Sequence, residues 1–501
     1  MNRSQAERLH PIAILTSISQ VGRGLAPAVI LALVGSGESI SLLAIALTAT
    51  VLLAGSIAFG VLRWWQFQWW LDEDGLHIEK GIIFRKEVYI PARKVQTIDQ
   101  TAGLFQRPFG LVGLKVKTGT SGTQADLSTL SQQTASRIRR HLRQADGEEV
   151  DRADDAPEEV TRLTARQLLL ASTTSSQMGV ILSGIVGLGF QFQELLGPDP
   201  ATLVETYLTP WTRRFIQSPE SLLASVVPIA AAVLVGLIVA WLVSIVGGIV
   251  RFGQFSVALE EDELIIRRGL LNRQEITIPR DRIQAIRIVE DILLQPVGYG
   301  TLYIESIGHA DEQGRSAILH PCLPRAEWQP LLERAAPHFA VAPDLERSPP
   351  RALIRFLIRG LAPVILLVGI GWWFLADALW GLLLLAPAAL LAYARWRDNA
   401  AGWTDEVAVI QSRRLQRVTA HVPHNRVQSA TQQATIFQLR RDLAHASLVA
   451  ASGKTGKTFT AHDLPLSHTD ALLEWGTQRA EQLFRHSILP WLNHWLRRAS
   501  Q

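Results

Sequence analysis

The residues most suggestive of chemistry lie at 451–458, Ala-Ser-Gly-Lys-Thr-Gly-Lys-Thr, which depart from a phosphate-cradling loop only in carrying Ala451 where the first glycine belongs. Such a loop works by opening a helix whose first backbone amides point at the phosphates. Here Thr458, Phe459, Thr460 and Ala461 follow, a strand-like run, so a hairpin turn is expected in place of a nucleotide site. The 13 histidines invite a search for metal ligands. Yet His421, His424 and His462 fall on different expected strands of one polar segment and have no counterparts in two related segments, so surface or turn histidines are the reading. Cys322, between Pro321 and Pro324, is the one cysteine; a disulfide framework and a multi-thiolate site within the chain are excluded, and an inert thiol is expected. Ser/His/Asp groupings do not recur and His-Glu-x-x-His is absent. The expectation is a protein that is not an enzyme, with no catalytic residue, no cofactor and no metal site.

Charge offers a second chemistry. Lys80, Arg85, Lys86 and Lys94 crowd the first polar segment, and each could contribute on the order of 1 kcal/mol toward an anionic headgroup. The competing reading is that they obey the positive-inside bias. Net charge is positive in the first and third segments and negative in the second, so a headgroup pocket common to all three is not expected, and docking of a partner or between domains ranks above lipid binding. Arg23 and Arg359 occupy matching places inside apolar runs, where unpaired charge is expensive. Either they make a buried polar contact or conduit, or they snorkel to headgroups from a partly interfacial stretch; the second is favoured.

The elements that position these residues begin with the membrane. The chain has 501 residues, 19% of them charged, a mean hydropathy of +0.16 and a net charge of +4, too balanced for a nucleic-acid partner. Apolar runs at 12–35, 40–62, 167–190, 222–250, 353–375 and 379–394 are long enough, or nearly so, to cross a bilayer, which takes about 20 helical residues. Arg3, Arg8, Arg63, Arg162, Arg166, Arg251, Arg351, Arg355, Arg395 and Arg397 flank one end of the pairs, while 36–39 and the stretch around Asp377 lack Lys and Arg. Both termini and three polar segments are therefore expected on the cytosolic side of a multi-pass protein.

The polar segments are copies of one another. Ile90-Pro91-Ala92-Arg93-Lys94-Val95-Gln96 returns as Ile278-Pro279-Arg280-Asp281-Arg282-Ile283-Gln284 and as Val422-Pro423-His424-Asn425-Arg426-Val427-Gln428. Pro108 and Gly110 match Pro296 and Gly298, whereas the third copy has Arg440 and Asp442 there. Alternating apolar residues predict short strands through most of each copy, closed by a helix over 128–143, 323–336 and 470–481. Lys94, Arg282 and Arg426 would then share an outward face with Gln96, Gln284 and Gln428, opposite Val95, Ile283 and Val427, forming a common docking surface. Trp64, Trp65, Trp69 and Trp70 are expected at the bilayer interface, and the acidic stretch 146–159 as a solvated linker.

The run Leu71-Asp72-Glu73-Asp74-Gly75-Leu76, then Lys80-Gly81 and the Ile-Pro-x-x-basic-Val-Gln signature, resembles the pleckstrin-homology-like (PH-like) domain of bacterial YdbS/YdbT-type membrane proteins. The resemblance covers nearly the whole chain and implies a fold and a membrane location; it assigns no catalytic residue. The expected fold class is membrane α-helical plus β, six transmembrane helices in three pairs, each pair followed by a small PH-like β-barrel or sandwich with a C-terminal helix. The segments are pair one at 1–62, domain one at 63–145, linker at 146–160, pair two at 161–250, domain two at 251–340, pair three at 341–394, domain three at 395–485 and an amphipathic tail at 486–501. The expected function is a scaffold or adaptor in the bacterial cytoplasmic (inner) membrane. Its expected partners are membrane lipids and another membrane protein, such as a smaller YdbS-like PH-domain protein. The alternative is a transporter or a lipid-handling or export component using the six helices.

Overall fold

The computed structural model describes residues 6–14, 42–81, 84–104, 106–118, 124–144, 158–174, 220–306, 316–374, 376–452 and 456–483. The chain divides into two compact units. The first comprises Met1–Asp155, Leu163–Phe255 and Ile266–Ile276, and the second Ala156–Arg162, Ser256–Ile265 and Thr277–Gln501.

In the first unit the two-residue alternation becomes the strands Gln68–Asp72, Gly75–Lys80 and Lys86–Pro91, a three-stranded antiparallel sheet. Val95–Ala102, Leu111–Thr118 and Gln124–Ser131 form a second antiparallel set. The matching Pro108 and Gly110 have a local cause. Pro108 lies in the single 3-10 turn Arg107–Phe109, and Gly110 ends it at φ 63°, a conformation open to glycine. Gly298 also has a positive φ, 78°, at the end of its turn in the second copy, and Asp442, which tolerates this region better than most residues, takes φ 50° in the third. The helix Gln132–Gln144 buries Ile138 and Leu142 against a core containing Trp69, Leu76, Ile90, Leu114 and Leu127. In the second unit Leu466–Leu483 plays the same part, laying Leu472 and Trp475 on a core that includes Ile410, Val422, Leu448 and Phe459.

Of the expected barrel or sandwich, the barrel is corrected, because the sheets are open. The strand that would close the first copy, Val95–Ala102, pairs with Arg273–Pro279 of the second copy, placing Ala102, Thr101 and Gln100 opposite Arg273, Gln274 and Glu275. In the second unit Ile283–Glu290 of the second copy pairs in the same way with Arg417–Pro423 of the third. That unit thereby holds a seven-stranded sheet, ordered Ala317–Pro324, Tyr299–Ser306, Ile283–Glu290, Arg417–Pro423, Val407–Arg413, Ala400–Trp403, Glu346–Arg347. A backbone edge must be paired, covered or blunted; the first and second copies each pair theirs with the next copy.

Two helical stretches among the described residues, Leu234–Phe252 and Pro350–Trp372, are long and apolar enough to cross a membrane. The second expected run is a helix at Leu42–Gln66. Most of the first expected run and the later part of the third lie outside the described residues, the helix Ala165–Thr173 being the start of the third. The sixth is a 3-10 helix, Ala376–Leu384, that gives way to an α-helix, Leu385–Arg397. Pro387 in the first α-turn explains the change, because it lacks a donor and its ring clashes with the carbonyl four residues back.

Each copy gains backbone pairing from before its helices. Glu7 bridges to Trp69, Glu158–Arg162 pairs with Ser256–Glu260, and Glu346–Arg347 pairs with Ala400 and Ala401. Glu158 and Glu159 are thus ordered in a strand, which corrects the end of the expected solvated linker; its remainder lies outside the described residues. Trp69 is 1% exposed and belongs to the core, whereas Trp65 stays exposed as an interfacial residue would.

Candidate functional site

The repeated Pro-x-x-basic-aliphatic-Gln motif begins as a turn. Pro91, Pro279 and Pro423 cap the 3-10 turns Ala92–Lys94, Arg280–Arg282 and His424–Arg426, and strands start only at Val95, Ile283 and Val427. Pairing then skips one residue, between Val95 and Thr97, Ile283 and Ala285, and Val427 and Ser429. The shared glutamine is the extra residue of a β-bulge in every copy, and a bulge breaks the two-residue period. In the second copy the expected outward face shared by the basic residue and Gln therefore does not form, since Gln284 is buried.

The expected docking residues separate accordingly. Gln284 is 5% exposed and donates from Nε2 to the Arg282 carbonyl at 3.1 Å, so it is no docking residue. Arg426 donates to the Asp281 carbonyl, fastening the turn of the third copy to that of the second. Arg282 is half-buried, while Gln428 and Lys94 are exposed. Gln96 is placed at its bulge by its backbone. Lys80 ends one strand of the first hairpin and Lys86 begins the next, directly opposite; Arg85, beside it, is ion-paired with Glu79. Arg23 lies outside the described residues.

Arg359, half-exposed itself, makes an ion pair with a buried carboxylate, where the favoured reading was snorkelling to headgroups. It and Arg355, one helical turn earlier, converge on Asp463, whose side chain is fully buried in the last strand of the third copy. Arg355 Nε reaches Asp463 Oδ1 at 2.9 Å, and Gln438 Nε2 donates to the same oxygen at 2.8 Å. Asn399 continues the attachment: its Nδ2 donates to the His462 carbonyl at 2.6 Å and to Ser348 Oγ at 2.6 Å. Trp396 Nε1 donates to the Pro349 carbonyl at 3.1 Å, as Trp64 Nε1 does to Leu9 at 2.7 Å in the first unit. Burial, helped by the neighbouring arginines, holds His445 and His462 at a pKa of about 4, so both are neutral at physiological pH. Asp463 is the functional residue that sequence reading missed. The signal was Arg359 itself, since a cation placed in an apolar run requires a partner.

A second charged cluster locks the strand pair between the second and third copies. Glu290, 1% exposed, accepts both forks of the Arg417 guanidinium, with Nη2 at 2.5 Å, and also meets Arg325. Asp398 receives Arg413 Nε at 2.6 Å and faces Arg417 at 3.6 Å. Beside the turns Arg280–Arg282 and His424–Arg426 lies a cavity of about 540 Å³, lined by Asp262, Asp281, Asp405 and Glu406 against Arg280 and Arg426. Arg280 is committed, with Nε donating to the Ala335 carbonyl at 2.9 Å. Among the described residues no group of three or more His, Cys, Asp or Glu could hold a metal ion. Lys457 opens the strand Lys457–Pro465 and stands opposite Ala450 across a hairpin, which is not the setting of a phosphate loop. Cys322 is fully buried, and burial raises its thiol pKa to about 12.

Three copies with one strand pattern, one bulge and one closing helix are matched by one family description, the bacterial PH domain, over residues 21–146, 220–335 and 356–480. The chain belongs to the bacterial PH domain family. It is also similar to the UPF0699 transmembrane protein YdbT of Bacillus subtilis (strain 168), with 29% identity over 94% of this chain and 98% of that protein. These PH modules are carried by a membrane protein: exposed apolar side chains such as Leu366, Leu367 and Trp372 line the long helix that leads into the third module.

Proposed function

We propose that the chain is a scaffold of the bacterial inner membrane, in which six helices in three pairs hold three PH modules at the cytosolic face to engage a partner protein or anionic lipid. The observation that carries this is the stitching of helices to module. In the third copy, paired strands flank the helix pair on both sides, and Arg355 and Arg359 reach out of the apolar helix to a fully buried carboxylate. Such fastening holds a module at a set height and orientation, which display requires and a flexible tether would not supply. The span count is supported by length. Leu42–Gln66 rises about 37 Å, and the mixed helix 376–397 about as much, against a hydrocarbon core of ~30 Å.

The transport alternative loses its main candidate, since Arg359 is engaged with Asp463 and serves attachment. Of the docking residues, Lys86 and Lys94 remain exposed on the first module and are the basic groups offered to a partner or headgroup. The test is purification of the tagged full chain from membranes in detergent, with identification of co-purifying proteins and lipids, for wild type and the Lys86→Glu/Lys94→Glu double variant. The scaffold reading expects a stoichiometric membrane protein or anionic lipid that the double variant loses. Solute or lipid movement catalysed by the purified chain in proteoliposomes would overturn it.

A further inference from the structure

Two strand pairings join copies inside the chain, and they share one register. In the first unit Ala102, Thr101 and Gln100 stand opposite Arg273, Gln274 and Glu275. In the second unit Glu290, Val289 and Ile288 stand opposite Arg417, Val418 and Thr419. Counting from the motif, Ala102 is seven residues after Val95 and Glu290 seven after Ile283, while Arg273 and Arg417 are each six before the motif proline. The same edge of the PH module is therefore used twice in the same way: its fourth strand accepts the third strand of the next copy.

Applied three times, this rule leaves one unused half at each end. Among the described residues, the fourth strand of the third module, Val427–Gln433, pairs only with Leu443–Ala450, and the third strand of the first module, Lys86–Pro91, only with Gly75–Lys80, so both edges are open there. Gln428, Ser429, Thr431 and Gln433 are exposed where the covered second copy buries or half-buries Gln284, Ala285, Arg287 and Val289. A strand meant to stay solvated is ordinarily blunted by Pro, Lys or a bulge. Val427–Gln433 contains neither Pro nor Lys, and its bulge also occurs in the two copies whose edges are covered, so it does not prevent pairing.

We propose that these two edges are the halves of an intermolecular joint, in which Val427–Gln433 of one chain accepts Lys86–Pro91 of a second copy as an added antiparallel strand. A second copy is the occupant because one chain carries both halves, in the register its internal joints already use. That register places Gln433 opposite Lys86, Gln432 opposite Glu87, Thr431 opposite Val88 and Ala430 opposite Tyr89. Arg85 then falls opposite Ala434, as Arg273 falls opposite Ala102. The contact is head to tail, so copies in one membrane form a ring if the rotation closes and a filament if it does not.

The test uses full-length chains with two different tags, co-expressed, one carrying Lys86→Cys and the other Gln433→Cys; Cys322 is buried and stays in place. Directly opposed residues of an antiparallel pair are within disulfide reach. Mild oxidation of membranes should yield a species of twice the chain mass bearing both tags, at least tenfold more abundant than from Lys86→Cys with Ser429→Cys, which is four residues out of register. Thr431→Pro, which removes a backbone donor from the strand Val427–Gln433, should leave the detergent-solubilised chain monomeric where wild type sediments as a dimer or larger. A cross-link no stronger than the shifted control, a joint found only within single chains, or a strictly monomeric wild type would overturn the proposal. A stable complex with a different PH-domain protein on Val427–Gln433, without self-association, would overturn the choice of occupant.

Discussion

Replacing Glu290 by Gln keeps the shape of the side chain and removes the charge that two arginines share. Glu290 and Arg417 have side chains 2% and 12% exposed, so neither can recover its hydration without opening the sheet. Breaking one side of a buried pair costs about 3–5 kcal/mol, because the other charge is left uncompensated. Arg417 retains Asp398 at 3.6 Å, which puts the expected loss at the lower end, about 3 kcal/mol. A multi-module membrane protein has no single unfolding free energy, so the reading must be local. Hydrogen exchange in detergent, followed at the amides of Ile283–Glu290 and Arg417–Pro423, reports opening of that strand pair. About 3 kcal/mol corresponds to exchange roughly 150-fold faster. The Glu290→Leu/Arg417→Met double variant should recover most of that protection, since apolar replacement of a buried pair is often neutral or stabilising. Acceleration of less than about threefold in Glu290→Gln, or a double variant as labile as the two single changes combined, would refute the claim that this ion pair holds the joint.

Three further outcomes are expected. Burial holds His421 at a pKa of about 4 against an ordinary 6.5, so the unfolded chain binds the extra proton between these values. The stability contribution of neutral His421 is complete above pH 6.5 and is lost as pH falls toward 4; melting of the third module should drop across that window, and His421→Phe should flatten the dependence. Ile283→Ala, at a position 1% exposed, should destabilise by about 2–5 kcal/mol, and Val95→Ala, at a half-buried position, by about 1 kcal/mol, with the order read from local hydrogen exchange. Alkaline phosphatase fused after Gln144 should be inactive and the same reporter at Gly37 active; equal activities would refute the cytosolic placement.

The three copies, their proline motif, the strand-rich body and the closing helix were all legible in the sequence, because each leaves a local mark in spacing or repetition. What was not legible is long-range backbone pairing. Glu346–Arg347 is a strand of two residues whose role depends on Ala400 and Ala401, over fifty positions away, and no periodicity marks it. The docking face was misread for a related reason: one extra residue at Gln284 turns the side chain inward, and a bulge is a property of two strands together. The Arg359 contact was half visible. The cation in the apolar run pointed to a partner, but Asp463, between His462 and Leu464, carries no pattern of its own.

Because Glu158–Arg162 is hydrogen-bonded to Ser256–Glu260, with Arg162 directly opposite Ser256, the intervening membrane segment is an insertion within a β-hairpin. During synthesis the second module cannot complete its sheet until everything between those strands has left the ribosome. The same arrangement defines a shortened form of the second module: a short turn joining Arg162 to Ser256 would replace the inserted segment by the hairpin loop it interrupts.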